Sequence, residues 1–208
     1  MKAGESSFLQ NTVLFGHSPA EGIVAVEPVP GDRMRVFRRE KGKLTSDEQA
    51  FRPFLWVSEA ALLQGLQAKH DIEELQGGGA LRYLVWFNSW KDFLAARKHL
   101  NSATGKNPSD PAAPFFILND PVQQFLMQTG QTFFKGMRFE ELHRLQLDIE
   151  TDCADGYEFS NPQRESDRIL CVAITDNCGW EHFIAHEDEP KLLAELVAVI
   201  QERDPDVI

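Results

Sequence analysis

The 208-residue sequence has no uninterrupted apolar run long enough to span a bilayer. Leu192–Ile200 comes nearest, and Glu195 interrupts it. No secretory pattern opens the chain at Met1–Gln10. Cysteine is scarce: Cys153, Cys171 and Cys178 are odd in number and follow no framework spacing, which fits a reducing, cytoplasmic compartment. There is no Gly-x-Ser-x-Gly and no Cys–His pairing to suggest a covalent hydrolase. The triplet Gly77-Gly78-Gly79 is not followed by Gly-Lys-Ser/Thr, so it is not a phosphate loop. Cys171, Cys178, His182 and His186 offer zinc ligands but no Cys-x-x-Cys, and strand alternation is expected to scatter them.

Positive charge is missing from one region in particular. Residues 1–142 balance at 16 Lys+Arg and 16 Asp+Glu, whereas residues 143–208 hold 5 and 16, which accounts for the whole net charge of −11. The shift suggests a domain boundary near Arg138–His143. A region this acidic repels phosphate unless cations are bound, which argues against metal-free nucleic-acid binding there.

What is present reads as an α+β / α/β chain. Met1–Ser7 is expected to be a frayed end. Gln10–Phe15, Gly22–Glu27, Arg33–Arg39 and Lys43–Gln49 have the composition of short strands separated by turns. Arg33, Arg35 and Arg39 fall on one strand face, either as a phosphate-contacting ribbon or as solvated charges protecting an edge strand. From Phe51 to Leu118 the order is strand, helix (Glu59–Ala68), strand, strand, helix (Trp90–Leu100), strand. That is the ferredoxin-like pattern, also used by RNA-recognition modules. Phe54 and Trp56 on one strand, with Tyr83, Val85 and Phe87 on another, supply the aromatics of a base-stacking platform or of a core. Asp120 or Asn119 caps a short helix with Pro121 at its first position. Beyond Arg138 come a strand at His143–Ile149, a polar loop at Asp152–Asp167 read as solvated, a hairpin, an amphipathic helix at Glu189–Arg203, and a strand beginning at Asp206. Three strands, a helix and a strand about to pair in parallel is how a ribonuclease H-like sheet starts, and the sequence ends as that fourth strand begins.

The stretch with the most chemical content is Leu145-Gln-Leu-Asp-Ile-Glu-Thr151. Leu145, Leu147 and Ile149 share one face of a strand, and Gln146, Asp148 and Glu150 share the other. Two carboxylates side by side repel each other, and a hard divalent cation such as Mg2+ or Mn2+ relieves that repulsion. The strand is therefore half of a metal site, or a surface strand with its acids in water.

Several stretches together resemble the amino-terminal region of the family B DNA polymerases. Leu147–Thr151 is similar to that family's first proofreading-exonuclease motif. Phe51-Arg52-Pro53-Phe54 is similar to its Phe-Arg-Pro-Tyr segment. Asp120-Pro121 with Phe125-Leu126-Met127 and Gly130 resembles its short helix before the exonuclease strand. Arg203-Asp204-Pro205-Asp206-Val207-Ile208 resembles the segment preceding its second exonuclease motif. The resemblance runs from about Ile23 onward. It implies a polymerase-type amino-terminal domain over 1–138, with a ferredoxin-like subdomain at 51–118. It further implies the first part of a ribonuclease H-like 3′→5′ exonuclease domain over 139–208. Asp148 and Glu150 would be ligands of two Mg2+ or Mn2+ ions, Asp148 bridging them and Glu150 holding the one that activates water. Thr151 would contact the terminal nucleotide, and DNA would be the partner. The family's remaining exonuclease carboxylates and its polymerase domain lie beyond Ile208, so the isolated chain is expected to be inactive. The arginine typical of the uracil-reading pocket of archaeal members is replaced by Gln124, which puts that property in doubt. The alternative is a non-catalytic nucleic-acid-binding or scaffold module that keeps the fold.

Overall fold

The computed structural model describes Asn11, Thr12 and residues 16–208. The expected end at Met1–Ser7 and strand at Gln10–Phe15 lie outside the described residues, apart from Asn11 and Thr12. The chain forms two compact units, one ending at Gly136 and one spanning Met137–Ile208.

In the first unit β1 (Ile23–Val29), β2 (Arg33–Glu40) and β3 (Lys43–Ala50) form an antiparallel meander. Lys41 and Gly42 join β2 to β3 with φ of 51° and 79°. Positive φ at both central residues gives a turn whose twist matches the flanking strands. Met34 and Val36 point to the core with Ile23, Phe51 and Phe125, while Arg33, Arg35 and Arg39 alternate with them on the other face.

A second sheet follows, made of β4 (Phe54–Val57), β5 (His70–Glu74), β6 (Tyr83–Phe87) and β7 (Phe115–Phe116) in the spatial order β5-β6-β4-β7. Every pairing in it is antiparallel. Helix α1 (Trp90–Thr104) starts where the Ser89 hydroxyl accepts the Asp92 N–H at 3.0 Å and ends at Gly105, whose φ is 67°. It contributes Phe93, Ala96 and Leu100 to a core with Leu55, Val57, Val85 and Phe87. Trp90 stacks on Phe93 at 4.5 Å and packs against both this core and that of the first sheet.

The helix expected over Glu59–Ala68 is a single 3-10 turn, Ala60–Leu63. No side chain caps it, Gln64 is extended, and Gly65 has a φ of 85°. Only Leu63 of this turn is buried, so packing supplies too little to extend it. The expected aromatic set also splits. Phe54 is opposite Trp86 and Trp56 opposite Leu84, whereas Leu55 is opposite Val85. Phe54 and Trp56 therefore share a face with Trp86, while Tyr83, Val85 and Phe87 point the other way, toward α1.

Helix α2 (Pro121–Thr129) is capped by Asp120, whose carboxylate accepts the Val122 N–H at 2.8 Å. At its end Gly130 has a φ of 65°, a left-handed conformation that favours glycine, and a Cβ there would also push the exposed His17 ring aside.

The second unit holds β8 (Leu145–Thr151), β9 (Ile169–Asp176) and β10 (Glu181–Ala185) in the order β10-β9-β8, all antiparallel. Helix α3 (Glu189–Arg203) covers one face and buries Leu192 against Leu145, Val172, Ile174 and Ile184. Leu193, next to it in the helix, is 40% exposed. Val207 makes an isolated parallel bridge to Arg144, just before β8.

Candidate metal centre

The β8 strand is fixed from below. Leu145 is buried and Leu147 packs beside it, and both contact the core under α3. That phase turns Gln146, Asp148 and Glu150 outward, opposite Thr175, Ala173 and Cys171 of β9. The Thr175 hydroxyl donates to Gln146 Oε1 at 3.0 Å, which marks this as one continuous outer face. Asp148 and Glu150 are both exposed. Asp148 Oδ1 accepts only the N–H of Ile149, at 3.1 Å, and among the described residues no cationic side chain pairs with either carboxylate. The donor set is two hard carboxylate oxygens in water, which suits Mg2+ or Mn2+ in kind but supplies only part of the six ligands such an ion takes.

Thr151 lies after a register shift at Glu150, and its hydroxyl donates to Ser160 Oγ at 3.0 Å. It lines a groove of about 580 Å³ together with Ile149, Arg164, Glu165, Glu189 and Leu193. Neither Asp148 nor Glu150 is among the lining residues, so Thr151 and the two carboxylates are not gathered in one cavity.

The arginines of the first meander are already engaged. Arg33 Nε lies 3.3 Å from Glu48, and Arg35 reaches Glu27 and Glu48 at 3.1 Å each. Hydrogen bonds from Arg35, followed by those from Arg33, hold the Glu48 carboxyl below its ordinary value. The Arg39 backbone N–H donates to Gly22 O at 2.9 Å. A phosphate would have to compete with these carboxylates for Arg33 and Arg35.

Two buried aspartates organise the loops around β8 and β9. Asp167, expected in a solvated loop, is buried. Its carboxylate accepts Arg164 Nε at 2.7 Å and the N–H groups of Ala154 and Asn161 at 2.9 Å each. The Arg164 guanidinium, outweighing burial, holds its pKa well below the carboxylate range. Burial would raise Asp176. Bonds from His143 at 3.0 Å, from the Trp180 and Cys178 N–H groups and from Arg203 reverse that and hold it low. Two carboxyls depressed in the folded state contribute stability that is present above their unfolded pKa and lost as pH falls through the folded value. The second unit is therefore expected to weaken as acid is added from about pH 5 downward. Asp167→Asn and Asp176→Asn should each lower its stability at neutral pH and flatten that dependence. Urea midpoints measured across the acid range check this, and an unchanged slope in both variants would contradict it.

Sequence reasoning missed this anchoring role because nothing in a polar, Asp-rich loop marks which acid is folded inward. It also missed Glu195, which accepts hydrogen bonds from His182 at 3.0 Å and His186 at 2.6 Å.

No family model matches the chain. It is 26% identical over 202 residues to DNA polymerase 1 of Pyrococcus abyssi, an alignment covering 84% of this chain and 25% of that protein. It is 27% identical over 202 residues to the DNA polymerase of Desulfurococcus sp. (strain Tok), with the same coverage. The DNA polymerase of Thermococcus litoralis matches at 25% identity, with 11% of its length covered. The chain thus spans about a quarter or less of the length of these relatives. Among solved structures, the family B DNA polymerase of the hyperthermophilic archaeon Pyrobaculum calidifontis superposes with a TM-score of 0.56. The match is at 16% identity and covers 88% of this chain and 29% of that one. The resemblance read from the motifs is thereby borne out: over 84% of its length this chain is homologous to archaeal DNA polymerases, and its mixed α/β fold is that of a segment of a family B enzyme.

Proposed function

We propose that this chain is the amino-terminal portion of a DNA polymerase and carries the first motif of its 3′→5′ proofreading exonuclease. Residues 51–118 would be the ferredoxin-like subdomain. The antiparallel order β5-β6-β4-β7 with α1 on one face supports that assignment, even though its first helix is reduced to a 3-10 turn. Residues 139–208 would be the first part of a ribonuclease H-like domain. The meander β8-β9-β10, the covering helix α3 and the parallel bridge of Val207 to Arg144 support it.

The observation that carries the proposal is the pair Asp148 and Glu150. Both project from the outer face of a strand anchored in the core, and among the described residues no cationic side chain neutralises either one. Held this way, the two acids would ligate Mg2+ or Mn2+ against a DNA 3′ end. Bound cations would there supply charge stabilisation at the phosphodiester and lower the pKa of an attacking water. By itself the chain is expected to hydrolyse DNA at background, because two exposed carboxylates leave the ions under-coordinated and the DNA unpositioned. The test joins the chain to the remainder of a polymerase of its relatives' length and offers it 3′-labelled single-stranded DNA with Mg2+. Release of mononucleotides from the 3′ end, abolished by a chelator, is expected. No 3′→5′ hydrolysis, or hydrolysis insensitive to the chelator, would overturn the proposal.

A further inference from the structure

The outer face of the second unit's sheet carries more than its two carboxylates. Asp148 of β8 is opposite Ala173 of β9, and Ala173 is opposite Phe183 of β10. Residues directly opposite one another project from the same side of a sheet, so Asp148, Ala173 and Phe183 form one row. The other side is fixed by Val172, Ile174 and Ile184, which are buried against Leu145 and Leu192. Neighbouring strands lie about 4.8 Å apart, which puts Phe183 roughly 9–10 Å across the face from Asp148. Between them Ala173 offers only a methyl group. The next row, Glu150, Cys171 and Ala185, is also small beyond its acid. The Phe183 side chain is 64% exposed, and among the described residues its ring stacks on no other ring and no guanidinium. Packing has no use for it there: β10 is an edge strand, where charged side chains are the common guard against association.

We propose that Phe183 is the platform on which the base of the 3′-terminal nucleotide stacks. The inference rests on the reading of Asp148 and Glu150 as metal ligands of a 3′→5′ exonuclease. With the phosphodiester held at the two carboxylates, the nucleotide lies along the row, its sugar over Ala173 and its base against the phenyl ring. Charge explains why an apolar ring serves here. Residues 143–208 hold only five Lys and Arg. Arg164, Lys191 and Arg203 pair with Asp167, Asp188 and Asp176. Arg144 and Arg168 donate to the backbone carbonyls of Phe139 and Glu187. All five are thus engaged within the protein, which leaves little to grip the phosphates of a strand. Stacking on a neutral ring is indifferent to the surrounding acids and accepts every base. Thr151 does not take this place, because the groove it lines includes neither carboxylate.

The test uses the polymerase-length chain with Mg2+ and a pair of 5′-labelled single-stranded oligonucleotides, alike except that one ends in an abasic sugar at its 3′ end. Phe183→Ala is expected to raise KM for the base-bearing strand at least about fivefold, with kcat within about twofold of wild type. It should leave KM for the abasic strand unchanged, and Phe183→Tyr should restore the wild-type value. In an Asp148→Ala background, where cutting is suppressed, adding Phe183→Ala should weaken binding of the base-bearing strand by a similar factor in fluorescence anisotropy. An unchanged KM and affinity, or an equal loss on both strands, would overturn the inference and leave the two carboxylates as metal ligands. Absence of chelator-sensitive hydrolysis in the wild-type chain would remove the metal-ligand reading, and this inference with it.

Discussion

Asp148→Ala, made in a polymerase-length chain, is expected to lower 3′→5′ hydrolysis by more than about 100-fold while leaving the fold intact. Outer-shell partners of a metal typically cost 10–100-fold when removed, and a direct ligand should cost more. Folding should be spared because Asp148 is exposed and bonds only to the N–H of its own neighbour Ile149. The burial that phases β8 belongs to Leu145 and Leu147, which the substitution does not touch. Glu150→Gln should act in the same direction, because it keeps the side chain's shape and removes the negative charge. Combining the two should add little to either alone, since residues that act as a unit lose function together. Single-turnover rates on a 3′-labelled oligonucleotide, with circular dichroism as the control for folding, measure this. Wild-type rates in both single variants would remove the metal-ligand assignment.

Gln124→Ala is expected to be the most destabilising change in the first unit among those at polar positions, at about 2–4 kcal/mol. Gln124 is fully buried in α2. Its carbonyl accepts the N–H of Phe54 at 2.8 Å, and its amide donates to the carbonyl of Leu118 at 2.6 Å. One side chain thus satisfies two backbone groups, one opening β4 and one following β7. Truncation leaves both without partners and adds a cavity. Gln124→Met keeps the volume and removes both bonds, so it separates the two effects and should retain more than half of the loss. Three of the four tryptophans, Trp56, Trp86 and Trp90, lie in this unit and report its unfolding in urea. A Gln124→Ala midpoint equal to wild type would mean that these bonds do not hold β4 in place.

The elements whose local chemistry and long-range packing agree were legible from the sequence. Asp120-Pro121 and the amphipathic stripe of α3 mark helices because capping, proline geometry and 3.6-residue spacing each act within one turn. The parity of β8 was legible for the same reason: Leu145 and Leu147 alternate with Asp148 and Glu150 wherever the strand packs. What failed depended on partners distant in sequence. Parity within β4 and β6 is readable from the sequence, but their relative register is not: the pairing sets Phe54 and Trp56 opposite Trp86 and Leu84, away from the face of Tyr83 and Phe87. The Glu59–Ala68 pattern satisfied helical spacing but lacked a surface to bury more than Leu63, and Gly65 ended it. At the site the two carboxylates could be named, whereas the inward turn of Asp167 and the convergence of His182 and His186 on Glu195 arise only when loop and helix meet the sheet.

The most direct measurement is crystallographic. A polymerase-length chain soaked with Mn2+ and a short single-stranded oligonucleotide should show anomalous density within about 2.0–2.3 Å of carboxylate oxygens of both Asp148 and Glu150, beside the 3′ phosphodiester. Manganese bound elsewhere, with these two side chains still free in solvent while DNA occupies the domain, would contradict the account.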